Sequence, residues 1–140
     1  MNARRLAGAS IATLLAFVSP AHSASPPPKD ALTLVSIVPA GAVRAGSEVE
    51  FTLEIDVTLE TVDEAWLHLG FNVEEPNRYR MVSQYLIYRG MEHVVIKGKA
   101  VPRNYGREGE FAATLNIGPR KEGVRYSPTT TLRQVIPVVP

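Results

Sequence analysis

The sequence predicts an all-β fold, a seven-stranded antiparallel sandwich of two sheets, and three observations carry that expectation. From Val49 to Leu59 apolar and polar residues alternate without a break, with Val49, Phe51, Leu53, Ile55, Val57 and Leu59 set against Glu50, Thr52, Glu54, Asp56 and Thr58. Side chains on a strand change face at every residue, so this is one long strand with one face in a core and the other in water. On a helix the same apolar residues would ring the whole circumference and bury no stripe. Turn signals then recur at roughly the spacing of eight to twelve residues typical of sandwiches. No helical apolar period follows Pro20. Slipping the 49–59 strand by one position would expose six apolar side chains, at roughly 2 kcal/mol each, and bury three carboxylates. That exceeds the stability of an ordinary domain, so the register is fixed.

The chain opens on a segment outside this pattern. Arg4 and Arg5 precede an apolar run from Leu6 to Val18, which Ser19-Pro20 ends before the small-residue triplet Ala21-His22-Ser23. This is the plan of a secretory signal peptide over 1–23, and the run is shorter than the about 20 residues that a membrane-spanning helix needs. Residues 24–31, with Pro26-Pro27-Pro28, form an extended Pro-rich leader. Residues 32–140 make a single domain, near the commonest domain size.

Leu32 to Val38 is the first strand, ended by Pro39, and Ala40 to Ser47 turns the chain into the long second one. In the third, Ala65, Leu67, Leu69 and Phe71 face inward and Trp66, His68, Gly70 and Asn72 outward. Glu74 to Asn77 is a loop. Tyr79 to Tyr88 is strand-like, but both of its phases carry apolar residues, which leaves its inner face open. Val94, Ile96, Gly98 and Ala100 form the inner phase of the next strand, and Phe111, Ala113, Leu115 and Ile117 that of the one after the 102–108 loop. Gly118 to Pro128 is the longest connection, and a last strand has Leu132, Ile136 and Val138 inward; Pro137 lacks a ladder donor, so that strand sits at an edge or ends there.

At these residues the chain resembles the immunoglobulin-like and fibronectin-III-like modules of exported bacterial proteins. Leu34-Val35-Ser36-Ile37-Val38-Pro39, then Ala45-Gly46-Ser47 leading into Phe51, Leu53, Ile55 and Val57, is similar to the start of such modules. The resemblance implies a fold and no activity. Unlike antibody domains, the chain has no cysteine, which also excludes thiol catalysis and thiolate metal sites. Its single Trp lies on an outward phase.

Charge narrows the partners. Removing Arg4 and Arg5 with the signal takes the formal charge from +1 to −1, which argues against nucleic acid or an anionic membrane as a partner. Within the domain, 44–75 holds nine acidic residues and one basic, and the remainder eleven basic and four acidic. Cross-strand pairing explains this segregation. Lys97 and Lys99 would face Glu50, Glu54 and Asp56, while Arg120, Lys121 and Arg125 would approach the 60–64 turn, and Arg44, Arg103 and Arg107 would approach Glu74-Glu75. Glu60, Asp63 and Glu64 share a turn but fall short of the six to eight oxygens calcium takes, so no metal or cofactor is expected. His68 and His93 stand on different strands and no serine sits in a nucleophile elbow, so no enzyme activity is expected.

The candidate binding residues are Trp66, His68, Tyr85 and Tyr88. With Leu67, Leu69 and Phe71 inward, Trp66 stands on the outer face, expected beside Ala112 and Thr114 on one side and Tyr85 or Tyr88 on the other; a large aromatic over small neighbours suits recognition. The expectation is a non-catalytic binding module of the cell envelope, periplasmic or secreted, whose partner is an envelope or extracellular protein or a glycan. A carbohydrate- or peptidoglycan-binding module using the same face, or an inhibitor of a secreted hydrolase acting through 118–128, are the alternatives.

Overall fold

The computed structural model describes residues 26–119 and 127–140. Among them the chain forms nine strands and one short 3-10 turn: β1 (Ala31–Val38), β2 (Val43–Arg44), β3 (Val49–Thr58), β4 (Glu64–Glu75), β5 (Arg78–Tyr88), β6 (His93–Ala100), β7 (Ala112–Pro119), β8 (Thr130–Val135) and β9 (Val138–Val139), with the turn at Gly106–Glu108. A narrow antiparallel sheet has the order β1-β3-β6 and a wide one β5-β4-β7-β8. The expected count of seven strands is corrected to nine. Pro137 interrupts the last strand as its missing N–H requires, and the two residues beyond it pair in parallel with β2, inside the segment expected to be only a turn. The segment expected to be a signal peptide (1–23) lies outside the described residues, and no helix among those described is long and apolar enough to cross a membrane.

The core sits between the sheets and takes the phases expected of it. Phe51, Leu53, Ile55 and Val57 of β3 and Val94, Ile96 and Ala100 of β6 are buried against Ala65, Leu67, Leu69 and Phe71 of β4 and Ala113, Leu115 and Ile117 of β7. Phe51, Phe71 and Phe111 cluster, with Phe71 and Phe111 stacked at 5.7 Å and Phe51 tilted against Phe71 at 5.0 Å. Gly98 keeps the β6 face open there: a Cβ on it would lie 2.7 Å from Val82 Cγ2 and 2.9 Å from Leu69 Cδ2. On the solvent face of the narrow sheet Lys99 stands opposite Glu50, Lys97 opposite Thr52, and His93 opposite Asp56 with Nδ1 3.1 Å from its Oδ1. Near Glu74, Arg103 donates to the backbone carbonyl at 2.9 Å. Arg120, Lys121 and Arg125 lie outside the described residues.

Two buried polar side chains tie opposite ends of β4 to their surroundings. Asp30, only 3% exposed, accepts hydrogen bonds from the amides of Glu60 (2.8 Å) and Thr61 (3.0 Å) and from the hydroxyls of Thr61 (2.7 Å) and Thr129 (2.5 Å). At the far end Asn72, fully buried, donates to the carbonyls of Pro76 (2.9 Å) and Glu110 (2.7 Å) and accepts from the Ala112 amide (2.8 Å), while its own carbonyl accepts from the Tyr105 hydroxyl. Each residue connects three segments distant in sequence, in a chain with no disulfide to do so.

Burial alone would raise the Asp30 carboxyl, but the hydrogen bonds from Thr129, Thr61 and the two amides outweigh it and hold the carboxyl below its ordinary value. A lowered folded-state value means that Asp30 stabilises the fold fully above the unfolded carboxylate value of about 3.9 and ceases to as pH falls through the lower folded one. Asp30→Ala should therefore cost about 2–3 kcal/mol in urea unfolding at pH 7, and its deficit relative to the native chain should shrink below about pH 4. A deficit unchanged down to pH 2 would contradict the assignment.

Candidate functional site

The two outer faces of the molecule differ in kind. On the narrow sheet Glu50 faces Lys99 and Asp56 faces His93 across strands, beside the exposed apolar side chains of Val35, Val38 and Val95. On the wide sheet the outward phase of β4 carries Trp66, His68, Gly70 and Asn72 between Glu64 and Glu74 at its ends, and that of β7 carries Ala112, Thr114, Asn116 and Gly118, so the carboxylates of these two central strands stand only at the ends of β4. Pairing arranges these in rows across the sheet. Leu86, Trp66 and Gly118 form one row, Gln84, His68, Asn116 and Thr131 the next, and Met81, Gly70, Thr114 and Arg133 a third.

The third row has its bulk at the edges and almost none in the middle, so the face is hollow there. A trough of about 370 Å³ opens onto it, lined by His68, Gly70, Tyr79, Met81, Thr114 and Asn116. Gly70 stands where β4 and β5 slip register, and a Cβ there would crowd the Arg80 carbonyl oxygen at 3.1 Å. One end of the trough is roofed. Arg133 on β8 reaches over the central strands and donates from Nε to the Tyr79 hydroxyl on β5 at 2.9 Å, with Glu110 3.8 Å from its Nη2. On the same outward phase Asn72 and Ala112 are fully buried and Thr114 is 9% exposed.

The polar groups of the trough are neutral. Desolvation lowers the His68 pKa below 6.5, against a smaller opposing effect of its hydrogen bond to Gln84, so the ring is uncharged at pH 7. The Thr114 Oγ1 is buried and has no hydrogen-bond partner in the protein. Such a hydroxyl carries a desolvation cost that the fold does not recover. Among the described residues no three His, Cys, Asp or Glu side chains are grouped to hold a metal ion.

Of the four residues expected from sequence, only His68 lines the trough. Trp66 is half-buried on the same outer face one row away, and its neighbours are Gly118 and Leu86, not Ala112, Thr114 and a tyrosine. The expected register between β4 and β7 was thus displaced along the strands, and Thr114 stands beside Gly70. Tyr88 pairs with Glu64 and shares the Trp66 face, diagonal to it; Tyr85 pairs with Leu67 and faces the other way. It is nevertheless 43% exposed, because β5 is the edge of the wider sheet and its core-side residues are only partly covered. Tyr79, Met81, Thr114 and Asn116 were not identified as a site. Their signal is the small-residue phase of β7 opposite Gly70, which acquires meaning only once the register is known. The 118–128 loop of the inhibitor alternative falls largely outside the described residues.

No family model matches this sequence, and no curated protein matches it. Among solved structures a β-glucosidase from Erythrobacter marinus is similar at 12% identity and a TM-score of 0.39, over 79% of this chain and 16% of that one. The functional reading therefore rests on the site.

Thr114→Val, which keeps the shape and removes the unpartnered hydroxyl, should raise stability by about 1 kcal/mol in chemical unfolding; a loss of that size would mean the hydroxyl is satisfied. Arg133→Ala should cost under about 1 kcal/mol globally, as exposed ion pairs do, yet speed hydrogen exchange at the Ala112 amide by lifting the strap from Asn72. Unaltered exchange there would show that Arg133 covers nothing.

Proposed function

We propose that this chain is an exported, non-catalytic binding module of the cell envelope, an immunoglobulin-like sandwich released by cleavage of a signal peptide into the periplasm or the medium, whose partner docks on the outer face of the wide sheet. The topology reading is supported by the strand order β1-β3-β6 against β5-β4-β7-β8, in which the connections from β3 to β4 and from β6 to β7 cross between sheets. Export is supported by the charged, apolar and small-residue succession of residues 1–23. The single observation that carries the binding assignment is the trough: a concavity floored by small residues, walled by Tyr79 and Met81, with a buried hydroxyl at Thr114 that the fold leaves unpaired. Buried polar groups without partners are costly, and their retention in a concave surface fits a site completed by a ligand. Trp66 and Tyr88 extend the same face and supply aromatic area outside the trough.

Site-specific photo-crosslinking in cells exporting the full chain tests this reading. A photoreactive residue at Met81 or Thr131, both on the wide-sheet face, should give an adduct several-fold stronger than one at Val95 on the narrow sheet. Equal yields at the three positions, or none, would remove the assignment. In the same preparation, amino-terminal sequencing should find the chain beginning after Ser23 or Ala24.

A further inference from the structure

We infer that the trough accepts a neutral, hydroxyl-rich ring of the pyranose class, seated with its carbon-hydrogen face on Tyr79 and Met81 and its hydroxyls toward Thr114, Asn116 and His68. The inference rests on the wide-sheet face being the binding face, and it adds the chemistry of the ligand. Size comes first. A volume of about 370 Å³ is near the lower end of the about 300–1,000 Å³ range of small-molecule sites, and suits one ring and part of the next.

Charge then narrows the class. None of the six lining residues carries a carboxylate, ammonium or guanidinium, and His68 is held neutral by its desolvation. The guanidinium of Arg133 at the rim is engaged by the Tyr79 hydroxyl and by Glu110. An ionised ligand would lose hydration here without gaining a counter-charge. A wholly apolar occupant fails for the opposite reason, since it would leave the Thr114 hydroxyl as unpaired as before. A sugar ring presents apolar faces and hydroxyl edges together, and so answers both walls.

The site is also held ready. The Tyr79 ring is fixed by the hydrogen bond its hydroxyl accepts from Arg133 Nε at 2.9 Å, so little side-chain freedom remains to be lost on binding.

The test is an amide-resolved NMR titration of the mature chain with methyl β-glucoside and methyl β-N-acetylglucosaminide, and with glucuronate and glucosamine as charged counterparts. Saturable shifts at Gly70, Thr114 and Asn116 are expected with at least one neutral glycoside, about tenfold weaker binding by both charged sugars, and a loss of about fivefold in Thr114→Val, whose spectrum otherwise stays native. No saturable shift at those residues with either neutral glycoside, or equal binding of the charged sugars, overturns the ligand class. If that happens while crosslinking at Met81 still captures a partner, the binding face stands and only the sugar falls. If both experiments fail, both readings fall.

Discussion

Burial of one face of β3 is the constraint from which the rest of the structure follows. Phe51, Leu53 and Ile55 are completely enclosed, and the intervening Thr52, Glu54 and Asp56 are not. With the register of the central strand of the narrow sheet set by that contrast, β1 and β6 can pair with it only in the phases that bring Leu34, Ile37, Val94 and Ile96 to the same side. The wide sheet must then present a matching apolar face, which Leu67, Leu69, Phe71, Leu115 and Ile117 supply. Once both inner faces are fixed, so are both outer ones, because each strand has only two.

Apolar burial sets register but says little about where the ends of the strands should stop, and two polar residues provide that. Asp30 gathers the start of β1, the β3–β4 connection and the approach to β8; Asn72 gathers the β4–β5 turn, the 3-10 segment and the entry to β7. Both are nearly or fully buried, and each satisfies its neighbours with several hydrogen bonds. A directional network of this kind penalises alternative arrangements more than an apolar contact does, since every displaced donor would be left unpaired away from water. In a chain without cysteine these two clusters link segments distant in sequence that no disulfide joins.

How far the sequence could be read follows the same logic. Wherever one phase was apolar and the other polar, as in 49–59, 65–71, 94–100 and 111–117, the inner face was legible and the observed burial agrees with it. The 79–88 segment was ambiguous because it is an edge strand. With cover on one face incomplete, Tyr85 stays partly exposed on the core side and Met81 lies exposed on the other, so its composition carries no phase. The parallel β2–β9 pair was not legible, being four residues joined over almost a hundred positions by contacts that no local pattern encodes. The site was half legible for a related reason. The small outward residues of β7 and the aromatic outward residue of β4 were evident separately, but which stands beside which depends on how far one strand slides along the other. Period-two alternation fixes that offset only to the nearest two residues. A displacement by whole pairs therefore kept every face right and placed Thr114 against the wrong neighbour.

The contrast between the two outer faces follows from this architecture and is the ground for the docking face proposed above. A sheet surface exposed to water is most simply kept soluble by opposed charges, as on β3 and β6, where Glu50 meets Lys99. The wide sheet had the same option on β4 and β7 and instead carries Trp66, His68, Gly70, Ala112, Thr114 and Gly118 along its middle. Glycine and alanine are poor strand residues, and a hydroxyl enclosed without a partner is a net loss, so none of these choices serves the stability of the sheet itself. Their joint effect is geometric. Removing bulk from the two inner strands, while Met81, Tyr79 and Arg133 keep it at the margins, converts a flat pleated surface into a hollow one, and the Arg133–Tyr79 strap holds one wall of the hollow in place. A surface that gives up local stability for concavity and pre-set hydrogen-bonding groups has the features expected of one completed by something outside the chain.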